Sequence, residues 1–195
     1  NKTEYKEWKE QALFFNRLIL SQHELDQILE MGIAVRQKKA FSRLFASGHP
    51  HRVVIWQDRA TGIWCKAELD WITSDGIVVD LKTSSDAGYW FFARQARRLG
   101  YVNQGAFYLE GLSTVTGVFH DDFRLAAAEV DPPYESHVFR PSQAQLMDAR
   151  DENSERLGTL YQCLETNNWP GYLDEVIDLD TGQYDQLEGV IDERF

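Results

Sequence analysis

Between Val53 and Lys82 the chain alternates short apolar runs with turn residues, and from Cys65 to Trp71 apolar and polar positions alternate with the two-residue period of a β-strand. Val53-Val54-Ile55-Trp56, Ile63 to Ile72 and Ile77 to Lys82 are separated by Asp58 to Gly62 and by Thr73-Ser74-Asp75-Gly76, whose Asp-Gly pair favours a tight connection. The pattern predicts a three-stranded antiparallel meander. Upstream, Glu4 to Phe15 has helical character. Ser21 stands three residues before Glu24, the spacing of a capping box, and predicts a helix from about Gln22 to Phe45. Its apolar positions, Leu25, Ile28, Leu29, Met31, Ile33, Val35 and Ala40, make no single stripe, so its far half is expected to be broken or buried on two sides. Gly48-His49-Pro50 ends it. Downstream the period turns helical from Ala87 to Gly111 with a break near Gly100. Thr114 to His120, Leu125 to Val130 and Tyr134 to Phe139 read as strands, and Pro141-Ser142 opens a helix ending near Thr166. This order predicts an α/β (α+β) fold with a central mixed β-sheet flanked by helices.

At 195 residues, 43% of them apolar, the chain can bury one substantial core, and a single domain over residues 1–195 is expected, with an acidic tail over 171–195. The first residue is Asn1, which suggests an N-terminally incomplete fragment of a longer protein. No apolar run reaches the roughly 18 to 20 residues of a membrane span, and the N-terminus lacks the regions of a signal peptide, so a soluble cytoplasmic protein without a membrane partner is expected. Cys65 and Cys163 are too few for a disulfide framework or zinc cluster. The net charge of −11 argues against a polyanionic partner. Its distribution softens that argument, because Arg94, Arg97 and Arg98, and Arg36, Lys38, Lys39 and Arg43, form local basic segments.

The chemistry-bearing residues lie on the meander. Asp80 and Lys82 must share one strand face while Val79 and Leu81 point to the other. If Asp70 on the preceding strand turns to the same side, two hard oxygen ligands for a divalent cation meet an ammonium group. The backbone carbonyl of Leu81 is a further candidate ligand. Such a set suits Mg²⁺ and the hydrolysis of a phosphodiester, with Lys82 orienting or deprotonating the water. The same spacing also fits a surface hairpin whose Asp80 and Lys82 form a weak exposed pair, and spacing alone does not separate the two.

Several segments in order, HPHRVVIWQDRATGIWCKAELDWI from His49, VVDLKTSSDA from Val78, GYVNQGAFY from Gly100 and, more weakly, LYQCLETNNWP from Leu160, resemble the RecE-type exonucleases (exonuclease VIII) of the PD-(D/E)XK nuclease superfamily. The resemblance implies a restriction-endonuclease-like core and a Mg²⁺-dependent exodeoxyribonuclease, with Mn²⁺ able to substitute. Its substrate would be the ends of linear double-stranded DNA, digested 5′→3′ to leave 3′ single strands for recombination in a phage or prophage setting. It further implies a ring-shaped homo-oligomer and a single-strand annealing recombinase as partner. Carried over by position, the metal aspartates are Asp70 and Asp80, the catalytic lysine is Lys82, and Gln104 and Tyr108 match a Q-x-x-x-Y element whose members share one helix face.

Two departures stand out. His51 occupies the place of a family glutamate, and an imidazole is the poorer magnesium ligand. No segment matches an upstream helical histidine, since His23 sits in the wrong context. Glu68, two residues before Asp70, is an outside candidate to replace the missing carboxylate, as is His51 itself. Trp56, Trp64, Trp71, Trp90 and Phe91 could stack on bases, although aromatics in such elements commonly fill cores. His120 and His137 have no expected catalytic role. The alternatives are a RecB- or Cas4-like nuclease of other polarity, and a catalytically weak DNA-end- or partner-binding module.

Overall fold

The structure is a computed structural model that describes residues 2–15 and 17–171. The acidic stretch 171–195 therefore lies, beyond Gly171, outside the described residues. The chain divides into two units, residues 1–161 and 162–195, and the sheet and every residue of the site below belong to the first.

The strands form in the predicted order: β1 (Gly48–Gln57), β2 (Trp64–Thr73), β3 (Val78–Ser84), β4 (Phe123–Glu129) and β5 (Ser136–Phe139). They make one sheet in sequence order, antiparallel except between β3 and β4. A parallel step needs a crossover, and this one is made of two helices, α4 (Tyr89–Arg98) and α5 (Tyr101–Thr116). They part at Gly100, whose φ of 67° is left-handed backbone that glycine adopts without strain.

The helix expected from Gln22 to Phe45 is two helices. Ser21 caps the first through both halves of the capping box, but Lys38 is extended (φ −76°, ψ 121°) and separates α2 (Gln22–Gln37) from α3 (Lys39–Leu44). The break lets Phe41 drop onto the sheet against Val79 and Ala126, forming a small core on one face. The other face carries the main core, in which Phe92 and Ala96 of α4 and Ala106, Leu109 and Leu112 of α5 cover Leu69, Val78, Leu125 and Ala127. The sheet is thus flanked by helices on both sides. The strand expected over Thr114–His120 is a correction: α5 continues through Thr114 and Val115 to Thr116 and is stopped by Gly117, at φ 69° with its amide on the Ser113 carbonyl. The β-branched residues there favour a strand locally, but the helix is held by the apolar side it lays on the sheet, and such packing outweighs propensity. The helices α1 (Lys2–Phe14) and α6 (Gln143–Thr166) lie where the pattern puts them. Among the described residues no helix is long and apolar enough to cross a membrane.

Candidate active site

Strand parity puts Asp80 and Lys82 beneath α5. Their partners across β4 are Leu125 and Ala127, both in the main core. Asp70 arrives by a different route. Leu69 packs in the main core, while Trp71, only two residues on, packs against Phe45 on the α3 side and donates its indole N–H to the Leu44 carbonyl at 3.0 Å. In a regular strand residues two apart share a face, so β2 rotates at Asp70. The β1–β2 ladder skips this position: His51, which would face Asp70, has a φ of 48°. The β2–β3 ladder holds Trp71↔Val79 and Ile72↔Val78 and stops short of Asp70 and Asp80. Where the strands part, the Asp70 side chain takes over, its Oδ2 accepting the Leu81 amide at 2.9 Å.

The result is a compact cluster. Asp80 is 2% exposed, and its Oδ2 lies 2.6 Å from Lys82 Nζ. That contact is a close ion pair on a desolvated carboxylate. Lys82 Nζ donates to Gln104 Oε1 at 3.0 Å, and Gln104 Nε2 donates to the Tyr108 hydroxyl at 2.6 Å. Gln104 and Tyr108 are one turn apart on α5, so the helix fixes their order. Burial raises the Asp80 carboxyl above its ordinary range; Lys82 opposes the rise and the Asp70 charge adds to it. Burial likewise raises the Tyr108 phenol, which therefore stays protonated at neutral pH.

The carboxylates fit a hard divalent cation. Asp80 brings a desolvated carboxylate beside a second acid, with burial and the Asp70 charge working against its ionised form, which is the environment a cation relieves. Among the described residues no group of three or more His, Cys, Asp or Glu side chains assembles as a ligand set, so the acids here number two. Glu68 and His51, the outside candidates, pair with each other (Oε1 to Nδ1 3.5 Å) at positions 59% and 75% exposed. Trp56 is buried in the main core and Trp71 is tied to α3, whereas Trp64, Trp90 and Phe91 are exposed. His120 and His137 hydrogen-bond the carbonyls of Gly76 and Ala87 and serve the fold.

One member of the cluster carries no role in the sequence reading. The Tyr101 ring lies 4.5 Å from Lys82 Nζ, a cation–π contact, and its hydroxyl accepts from Gln95 Nε2 at 3.2 Å. Gln95 Oε1 in turn accepts from Ser84 Oγ at 3.0 Å. The signal was its place three residues before Gln104, on the same side of α5.

A mixed sheet flanked by helices thus carries a buried acid–lysine pair beside a second acid. The chain belongs to the family described as PDDEXK-like domain of unknown function (DUF3799), whose model matches residues 1–179. Among solved structures it is similar to a protein of Eubacterium rectale described as "Putative exonuclease", with a TM-score of 0.60 and 18% identity over 93% of this chain and 75% of that one. A second, SSO0001, shares 16% identity over 82% of this chain and 67% of its own, with a TM-score of 0.37. No curated protein matches the chain significantly. The mixed sheet and its flanking helices are thus the PDDEXK-like fold.

Proposed function

We propose that this chain is the nuclease domain of a metal-dependent exodeoxyribonuclease of RecE type, digesting linear double-stranded DNA 5′→3′ and leaving 3′ single strands for recombination. The observation that carries the reading is the buried Asp80 carboxylate, ion-paired to the clamped Lys82 beside Asp70. Asp70, Asp80 and the Leu81 carbonyl would hold Mg²⁺, leaving most of its octahedral shell to water and phosphate oxygens. Bound there, the cation would neutralise charge on the phosphate and acidify water.

The protein's own part is orientation. Asp80, Gln104 and the Tyr101 ring surround the Lys82 ammonium, so Lys82 presents a fixed proton donor or acceptor to the attacking water, as general acid–base chemistry requires. Tyr108 accepts from Gln104 and keeps its own O–H proton to donate towards a phosphate oxygen. The resemblance noted above supports duplex ends as the substrate, and a ring of copies and an annealing recombinase as partners.

End-labelled linear duplex, with Mg²⁺ and with chelator, tests this. Wild type should release label from 5′ ends only with metal, and Lys82→Ala should lose about a hundredfold or more in rate while keeping its circular dichroism spectrum. Undiminished activity in the variant overturns the assignment, and release from 3′ ends overturns the polarity. The two-acid site favours one second reading, a DNA-end-binding module with weak catalysis. Calorimetry showing no Mg²⁺ or Mn²⁺ uptake would support that reading over the first.

A further inference from the structure

Helix α4 carries three arginines and no acid in a chain of net charge −11. Beside it runs a cleft of about 1080 Å³ between α4, β5 and α6, floored by Leu125, Val138 and Phe139. Four arginines line it, Arg97, Arg98, Arg140 and Arg156, against two acids, Asp148 and Glu152. Glu152 already accepts from Asn103 at 2.8 Å and from Arg156 at 3.2 Å, and Arg140 is 3.9 Å from Asp122. Arg97 and Arg98 close the last turn of α4 at the cleft's rim. The local sign is therefore opposite to that of the whole molecule.

The wall of this cleft is aromatic as well as basic. Tyr89 is 60% exposed, yet Trp90 meets it edge-on at 4.9 Å and Phe139 lies 6.4 Å away. Such a braced ring with an open face is what an unpaired base stacks on, whereas bases inside a duplex offer no face to it. Leu99 and Gly100 line the cleft, and the residue that follows them in the chain, Tyr101, holds Lys82.

From these observations we infer that the α4 cleft binds single-stranded DNA, Tyr89 stacking on a base and Arg97 and Arg98 gripping phosphates. The inference deepens the nuclease reading: the occupant is the unpaired strand at the processed end.

Fluorescence anisotropy with a short labelled oligothymidylate and a blunt duplex of the same length, in chelator so that nothing is cut, tests it. Tyr89→Ala should weaken oligothymidylate binding roughly five- to 150-fold, the range for loss of one stacked base, with an unchanged salt slope. Replacing Arg97 and Arg98 by Ala should lower the slope of log K against log salt by about 1.4, two phosphates at about 0.7 each. The double Arg→Lys variant should keep that slope, and circular dichroism checks the fold of all three. Unchanged binding in Tyr89→Ala, or equal losses on duplex, overturns the inference. Because no metal is present, a protein that cuts duplex with Mg²⁺ but shows no cleft effect refutes the cleft alone. One that binds strand through the cleft and never cuts refutes the nuclease reading and leaves the cleft standing.

Discussion

Gly105→Ala and Gly158→Ala make the same chemical change in two helices and should have opposite effects. In a helix interior alanine is favoured over glycine by about 1 kcal/mol. At Gly158, in α6, an added Cβ meets nothing within 4 Å, so most of that gain should appear as a Tm rise of about 2–4 °C. At Gly105, in α5, the Cβ would stand 2.3 Å from Phe123 Cδ1, 2.4 Å from Cε1 and 2.7 Å from Cγ. Ordinary contact begins near 3.4 Å, so a ring that is 0% exposed must retreat by 3.4 minus 2.3, about 1.1 Å, or α5 must lift from the sheet. Overpacking of this kind costs about 3 kcal/mol at the upper end of its usual range, leaving a net loss of roughly 2 kcal/mol after the helical gain. Thermal melting should show a fall of about 4–8 °C. Gly105 adjoins Gln104, so the lift should also loosen the Gln104–Lys82 bond and lower nuclease activity more than the stability loss explains. A Gly105→Ala protein as stable as wild type would refute the claim that this glycine sets the distance between α5 and the sheet.

Other outcomes follow from single features. Ser21→Ala removes the hydroxyl that accepts the Glu24 amide at 3.2 Å and donates to Glu24 Oε2 at 2.8 Å, leaving only the backbone half of the capping box, and should cost about 1 kcal/mol, seen as faster amide exchange in the first turn of α2. Asp58 accepts from the Thr61 amide at 2.8 Å and hydroxyl at 2.6 Å, which holds its carboxyl below the ordinary 3.8. A depressed carboxyl stabilises the fold above its unfolded value and loses that contribution as pH falls through the folded one. Wild type should therefore melt above Asp58→Asn at neutral pH, with the gap closing below pH 3.8. Burial, with the charges of Asp58 and Glu110, raises the Cys65 thiol above 9.0, so at pH 8 iodoacetamide should label it far more slowly than a free thiol.

The strands were legible because their apolar residues alternate and their turns carry Asp, Gly and Ser, signals contained within a few residues. The shared face of Asp80 and Lys82 followed from strand parity alone. Gln104 and Tyr108 entered through resemblance, since helical spacing shows only that they sit together, not that they meet a lysine 22 positions away. What escaped depends on the whole fold. Thr114 and Val115 are locally strand-like, and they continue a helix whose earlier residues Ala106, Leu109 and Leu112 are packed on the sheet. The lack of a single apolar stripe pointed to a break in the far half of the first long helix, but nothing near Lys38 places it there or shows that it delivers Phe41 to the second core. The rotation at Asp70 is invisible because the two-residue alternation of Ala67, Leu69 and Trp71 runs straight through it, while the two cores that claim Leu69 and Trp71 form from distant segments.

The bond from the Leu81 amide to Asp70 assigns that side chain two duties. Where the ladder between the strands lapses, an amide would be left wanting, and one carboxylate oxygen answers it as a substitute for the missing backbone carbonyl. An aspartate has a second oxygen, whose direction is set once the first is anchored. An asparagine there could still close the seam with its carbonyl yet would present a neutral amide where the negative oxygen stood. Structural tolerance and chemical competence should thus come apart at this one position.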